Sequence, residues 1–468
     1  MNFHSFSFGI FLVVMLTVFW AVSRRRGLRT GVLLIGSYFF YGCYNWWFLG
    51  LIAFSTFLDW NCGKAIHKAT DPKRRKLFLV VSLAGNLGLL GFFKYYEWGM
   101  TSLEAALAGM GIEYSHTVLV YAVPIGISFY TFQTLSYTID IYRRKLAPAR
   151  SFLDFAVFVA FFPQLVAGPI VRAVEFIPQL EFKPRFDRDR MVDGFYRIAL
   201  GLAKKVAIAD VLGGYLVDPV YADPGNFTWF VHLLALYGFT FQIYFDFSGY
   251  SDIAIGTARL FGFDLPENFW LPYQARSLRE FWRRWHISLS SWVRDYIFFP
   301  LGGSRRNEPR VWFNLIFTML VIGLWHGASS LWVVYGLMQG IVMCGERLFE
   351  RVFRGGKEFA TTPLRSAVSW LATFHFIVLS CILIRAQDWE TVTGVLGVYG
   401  DVGEVSTWAY WALLAAFATH FVPKRTHDRI QAGICRLPIP VGAVLFGIVS
   451  GLVAFLVVGE TPYIYFQF

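Results

Sequence analysis

Two histidines, His286 and His326, carry the chemistry that this chain can offer. They lie in Leu278–Gly345, which reads LREFWRRWHISLSSWVRDYIFFPLGG, then SRRNEPR, then VWFNLIFTMLVIGLWHGASSLWVVYGLMQGIVMCG. From Val311 to Gly345 there is no Asp, Glu, Lys or Arg, so His326 alone titrates near neutrality there. A segment this apolar can cross a bilayer, where ionisable groups are costly and mark function. A straight helix from Arg310 would place His326 ~24 Å from the cytoplasmic boundary, deep in a core ~30 Å thick. A neutral imidazole in a dry site is a competent general base toward a hydroxyl. It is equally a good hydrogen-bonding group between helices, and position alone leaves both readings open.

His286 shares a helix-period stripe with Trp282, Leu289 and Val293, while Arg283, Arg284, Ser288, Ser291 and Asp295 fall off it. The pattern predicts an amphipathic helix at the cytoplasmic interface. Its histidine either packs between tryptophans or forms a second polar wall of the His326 cavity. Arg279, Arg283, Arg284, Arg305 and Arg306 read as interface anchors or as attractors for the phosphates of an anionic donor. Asp246 and Asp252 occupy different faces of a continuous helix, Gly249 being a candidate break, and suit capping or pairing with an arginine. Trp282, Trp285 and Trp325 complete the candidate tunnel wall.

No HExxH, DxD-type or Cys/His spacing points to a metal, and Cys43, Cys62, Cys344, Cys381 and Cys435 are scattered. No GxSxG element or Walker loop is present, which argues against a serine hydrolase and an ATP-driven machine.

The elements that must position these groups are membrane helices. The 468 residues are 56% hydrophobic, 19% aromatic and only 16% charged, with mean hydropathy +0.49. Soluble domains carry roughly 25% charge. The expected fold is an all-α polytopic membrane domain over residues 1–468. The net charge of +11 reads as Lys and Arg in cytoplasmic loops, not as nucleic-acid binding.

Phe6–Val22 reads as a first span without a cleavage site, and the following Arg24–Arg29 run puts the N-terminus outside. Thr30–Ile66 is long enough to go out and return, with Asp59 and Asn61 as polar interruptions. Leu77–Trp98 and Thr117–Ile141 follow, each bounded by a basic loop on one side. Phe152–Val171 contains Pro163, Gly168 and Pro169 and predicts a re-entrant or kinked segment. Met191–Leu216, Thr228–Phe247, Ala367–Ile384, Thr407–Phe421 and Val441–Val458 are further spans, and the Asp388–Glu404 loop faces outward. About eleven spans plus re-entrant and interfacial helices result.

FFPQLVAGPI, then FDFSGYSDIAIG, then ENFWLPYQARSLREFWRRWHISLSSWVRDYIFFPLGG, then LWHG and a YIYFQF ending together resemble the membrane-bound O-acyltransferases. The likeness is nearest to the bacterial branch that acts in alginate O-acetylation and covers nearly the whole chain. The D-alanyl-transferring branch is similar but usually lacks the PLGG seen at Pro300–Gly303. The resemblance implies tilted helices around a funnel or tunnel through the inner membrane. It matches His326 to the family's catalytic histidine and His286 to its second histidine.

The implied donor is acetyl-CoA, with no bound cofactor. The implied acceptor is a polysaccharide hydroxyl outside the cytoplasm, reached directly or through an SGNH-hydrolase-like partner protein. D-alanyl or other acyl transfer from a carrier protein is the alternative within the family. A polysaccharide or lipid transporter is the alternative from another class. It predicts inverted repeats and paired midplane charges, and no corresponding halves are visible.

Overall fold

Short capping signals and long apolar runs make this chain helical. The computed structural model describes residues 1–119, 123–354, 362–397, 405–438, 441–442, 444, 447–448, 451 and 463–464, and all regular structure among them is helix. Contacts divide the chain into two compact units. The first comprises Met1–Asp187, Ala258–Leu265 and Gly327–Ser329; the second comprises Arg188–Thr257, Pro266–His326 and Ser330–Phe468.

In the first unit, the predicted out-and-return stretch is the pair of helices Arg26–Gly42 and Phe48–Lys68. The predicted Leu77–Trp98 span lies inside Pro72–Gly109, capped by Asp71 and begun by a proline where no N–H is needed. At 38 residues this helix is ~57 Å long, well beyond a bilayer core. Near its far end His116 sits between Glu97 at 3.0 Å and Glu104 at 2.8 Å. Hydrogen bonds to Glu97 and then Glu104 raise the imidazole above its ordinary pKa.

Asp59 is fully buried in this unit. It accepts from Ser82 Oγ at 2.5 Å and Asn86 Nδ2 at 2.8 Å, and Ser82 Oγ also reaches Thr138 Oγ1 at 3.0 Å. Three helices are thereby joined through polar groups, the membrane alternative to apolar burial. Asn61 is exposed and bonds its own helix instead.

The predicted irregular segment is real: helix Phe152–Ala160 stops at Phe161 and a short turn, Phe162–Leu165, follows. Gln164 Nε2 bonds Phe158 O at 2.6 Å and Ser37 Oγ accepts the Phe162 N–H at 3.1 Å, so the broken backbone is resatisfied by protein.

In the second unit, helix Arg188–Leu202 continues through π-helical turns Ala203–Asp210 and Gly213–Val217. It packs on the helix Trp229–Leu260, which runs unbroken through Gly249. Gly249 is therefore no break. A Cβ there would meet Gly201 O at 2.8 Å, and one on Gly201 would meet Gly249 O at 2.5 Å. The glycine serves close helix approach, not a bend.

Helices Glu308–His326 and Ser330–Arg354 form a tight hairpin. Pro363–Ser380, Ile382–Arg385, Trp389–Leu396, Thr407–His420 and Lys424–Cys435 follow.

Pro72–Gly109, Trp229–Leu260 and Pro363–Arg385 are long and apolar enough to cross a membrane, and Phe6–Val22 is a shorter apolar helix. The chain is a multi-pass membrane protein; a figure of about eleven spans needs shorter and more polar helices to be counted too. The predicted span Val441–Val458 lies largely outside the described residues, as do residues 398–404 of the predicted outer loop.

Candidate active site

His326 is the last residue of the helix Glu308–His326, and Ser330 starts the next helix. The hairpin closes because glycines let its helices touch: a Cβ on Gly336 would meet Met319 O at 2.6 Å. That approach brings Trp332 onto His326, ring centroids 5.1 Å apart and nearly parallel at 18°. Trp325 meets the same imidazole edge-on at 4.9 Å. His326 is only partly buried. It opens on a cavity of about 20 Å³ walled by Asp246, Phe247, Trp285, Trp332, Tyr335 and Ile464 among others. Such a space holds about one water molecule.

His286 lies against this cluster but not on the cavity wall. The predicted continuous helix divides at this residue into Leu278–Arg284 and Ile287–Val293, and His286 takes the left-handed conformation at φ +42°. The division has a hydrogen-bonding cause. The Trp270 N–H donates to Arg284 O at 2.8 Å and the Ile287 N–H to Asn268 O at 2.9 Å, which stitches the residue 268–270 segment across the gap. Asn268 Oδ1 then accepts the Ser288 N–H at 3.3 Å and the Ser288 hydroxyl at 2.8 Å, and it lies 3.2 Å from His286 Nδ1. His286 is fully buried, edge-on to Phe247 at 4.8 Å and with its centroid 6.4 Å from His326. A non-glycine residue held in this region costs energy that its surroundings must offset, a feature common near functional sites.

The two aspartates separate by role. Asp246 lines the cavity, and Lys205 Nζ lies 2.7 Å from its Oδ1 while the Ile464 N–H donates to its Oδ2 at 2.9 Å. Asp252 pairs with Arg197 at 2.5 Å and Lys204 at 2.6 Å, away from the cavity wall. Helix capping or pairing with an arginine was expected; Asp252 does meet an arginine, Arg197, together with Lys204, whereas Asp246 meets Lys205.

Of the other candidates only Trp285 lines the cavity. Trp282 Nε1 bonds Gln339 Oε1 at 3.3 Å and so ties helices together. Arg284 pairs with Glu280 at 2.5 Å. Arg283 is exposed. Trp325 packs edge-on against the rings of both His286 and His326.

Sequence reasoning missed Phe247, Trp332, Tyr335, Ile464, Lys205 and Asn268. Trp332 and Tyr335 were accessible as neighbours three apart on one helix face. Lys205 and Ile464 carry no local signal, because only tertiary packing brings them to Asp246. Among the described residues no group of three or more His, Cys, Asp or Glu side chains could hold a metal ion.

A sequence profile of the membrane-bound O-acyltransferase family matches residues 143–385. A probable alginate O-acetylase of Pseudomonas putida is 39% identical over 395 residues, 82% of this chain and 77% of that protein. A peptidoglycan O-acetyltransferase of Helicobacter pylori is 35% identical, covering 78% of this chain and 72% of that protein. A teichoic acid D-alanyltransferase of Bacillus subtilis is 28% identical over 54% of this chain and 66% of that protein.

Proposed function

We propose that this chain, which belongs to the membrane-bound O-acyltransferase family and is an O-acyltransferase, moves an acetyl group from cytoplasmic acetyl-CoA to a cell-envelope polysaccharide hydroxyl. The acceptor is reached on the outer side of the bacterial inner membrane, directly or through an SGNH-hydrolase-like partner. One membrane domain serves the reaction, with its N-terminus outside. The observation that carries the reading is the partly exposed imidazole of His326, stacked on Trp332 at the wall of a cavity that is otherwise aromatic and aliphatic but for Asp246.

His326 takes the proton of the acceptor hydroxyl while the hydroxyl oxygen attacks the thioester carbonyl. The carbon–oxygen bond forms, the carbon–sulfur bond breaks, and CoA leaves as the thiol after receiving a proton. Stacking on Trp332 fixes the ring plane, so the base needs little reorientation during transfer. His286, linked to Asn268, is a positioning residue that holds Phe247 and the Trp325 edge against the site. A cavity of about 20 Å³ is too small for an acetyl thioester. Binding must therefore displace wall side chains, and Trp332 and Ile464 flank the space. Identity near 39% to an alginate O-acetylase, against 28% over a shorter stretch to a D-alanyltransferase, favours acetyl over D-alanyl transfer.

The test is H326A, assayed with radiolabelled acetyl-CoA in membranes beside membrane abundance of the protein. Loss of label on glycan or partner at normal abundance is expected. Label transfer unchanged from the native chain would overturn the assignment.

A further inference from the structure

We propose that Tyr335 is a catalytic residue whose hydroxyl donates a hydrogen bond to the thioester carbonyl oxygen while that oxygen carries negative charge. The role rests on the acyl-transfer reading above and supplies a group which that reading leaves out. A base serves only one side of the reaction. When the acceptor oxygen attacks, an electron pair moves onto the carbonyl oxygen, and in a dry site that charge needs a donor.

The His326 cavity has few groups able to provide one. No Lys or Arg lines it, and Asp246, its one carboxylate, already accepts from Lys205 and from the Ile464 N–H. Tyr335 carries the one hydroxyl on that wall among the described residues. It is 5% exposed, and among the described residues no hydrogen bond occupies its hydroxyl. Buried polar groups nearly always have a partner. Nearby Tyr273 follows that rule, its hydroxyl donating to Thr240 O at 2.5 Å. An unbonded O–H on a cavity wall is available to whatever enters the cavity.

The hydroxyl and the base belong to one rigid frame. Tyr335 follows Trp332 by three residues on the helix Ser330–Arg354 and meets its indole edge-on, ring centroids 5.6 Å apart. Trp332 in turn stacks on His326 at 5.1 Å. The two helices of the hairpin touch along their length, since a Cβ on Gly340 would lie 2.7 Å from Ile316 Cα. A donor held in place before charge develops needs no reorganisation during the reaction, which is what makes such donors effective. A space of about 20 Å³ also brings the groups on its wall to bear on the same few atoms.

The step balances without changing Tyr335. The new carbon–oxygen bond forms, the carbonyl electron pair shifts to oxygen, and the phenol donates to that oxygen while keeping its own proton. The carbonyl reforms as the carbon–sulfur bond breaks, and the departing sulfur takes the proton held by His326. The competing donor is the indole N–H of Trp285, on the same wall. A phenol is the more acidic donor and makes the shorter, stronger bond to an oxyanion.

The test compares the full-length chain with Y335F, W285F and H326A in membranes, varying radiolabelled acetyl-CoA and normalising to protein abundance. For Y335F, kcat is expected to fall about a hundredfold with KM for acetyl-CoA within threefold of native. Its thermal unfolding in detergent should not shift downward, because an unbonded buried hydroxyl adds nothing to stability. Native kcat in Y335F with H326A inactive overturns the role of the hydroxyl and leaves the acyl-transfer reading standing. Full activity in H326A overturns both. A kcat loss in W285F alone assigns the donor to the indole and overturns Tyr335. So does a Y335F chain that unfolds early or fails to accumulate, since its hydroxyl would then be structural.

Discussion

Lys205 Nζ and Asp246 Oδ1 lie 2.7 Å apart in the seam between two helices, and the other carboxylate oxygen of Asp246 accepts the backbone N–H of Ile464 at 2.9 Å. One buried carboxylate thus fastens the residue 463–464 segment to the wall of the His326 cavity. Lys205 Nζ also lies over the Tyr463 ring, 4.6 Å from its centroid, which adds a second hold on the same segment.

Removing one partner of such a pair should be worse than removing both. K205M strands Asp246 and also Asp210, whose Oδ1 lies 2.7 Å from the same Nζ, and is expected to destabilise by about 3–5 kcal/mol. K205M/D246L should recover part of that loss, since Asp210 stays without its lysine and the Ile464 N–H loses its acceptor. Thermal unfolding of the purified variants in detergent checks the order; a double variant less stable than K205M would contradict the account.

The left-handed backbone at His286 sets a rule for substitution there. Asparagine tolerates this conformation, whereas a β-branched residue does not. H286N should keep the fold and H286V should lose about 1–3 kcal/mol more. Equal stability of the two variants, measured by thermal unfolding, would remove the argument.

Close helix approach at Gly201 and Gly249 is steric. G201A places a methyl against Gly249 O and is expected to cost about 1–3 kcal/mol through forced separation of the helices. Lys205 and Asp246 span the same seam, so acyl transfer should fall with stability. Gly214 has nothing within 4 Å of its would-be Cβ, so G214A is the neutral control.

The His116 clasp makes one loop pH-dependent. Its pKa is raised in the folded chain by Glu97 and Glu104, so its contribution is complete below the ordinary histidine pKa of about 6.5 and fades as pH rises through the raised value. Hydrogen exchange of residues 110–119, corrected for intrinsic pH effects, should show more protection at pH 6 than at pH 9. H116A should flatten that difference.

Length, charge poverty and the order of motifs were enough to reach the family and the helical membrane fold, because each depends on composition or local pattern. The break just ahead of Pro163 and the pairing of Asp252 with an arginine were legible for the same reason: proline chemistry is local, and a buried charge demands a partner. The division of the helix at His286 was not legible. Its stripe with Trp282, Leu289 and Val293 obeys a helical period, and only the distant Asn268 supplies the acceptor that makes a break favourable. Lys205 and Ile464 joined the site by packing across the chain, and Gly249 turned out to be a contact and not a hinge. Periodicity reports what one segment prefers. Which groups meet in a cavity is decided by how closely helices far apart in sequence can approach, and that is a property of the folded chain alone.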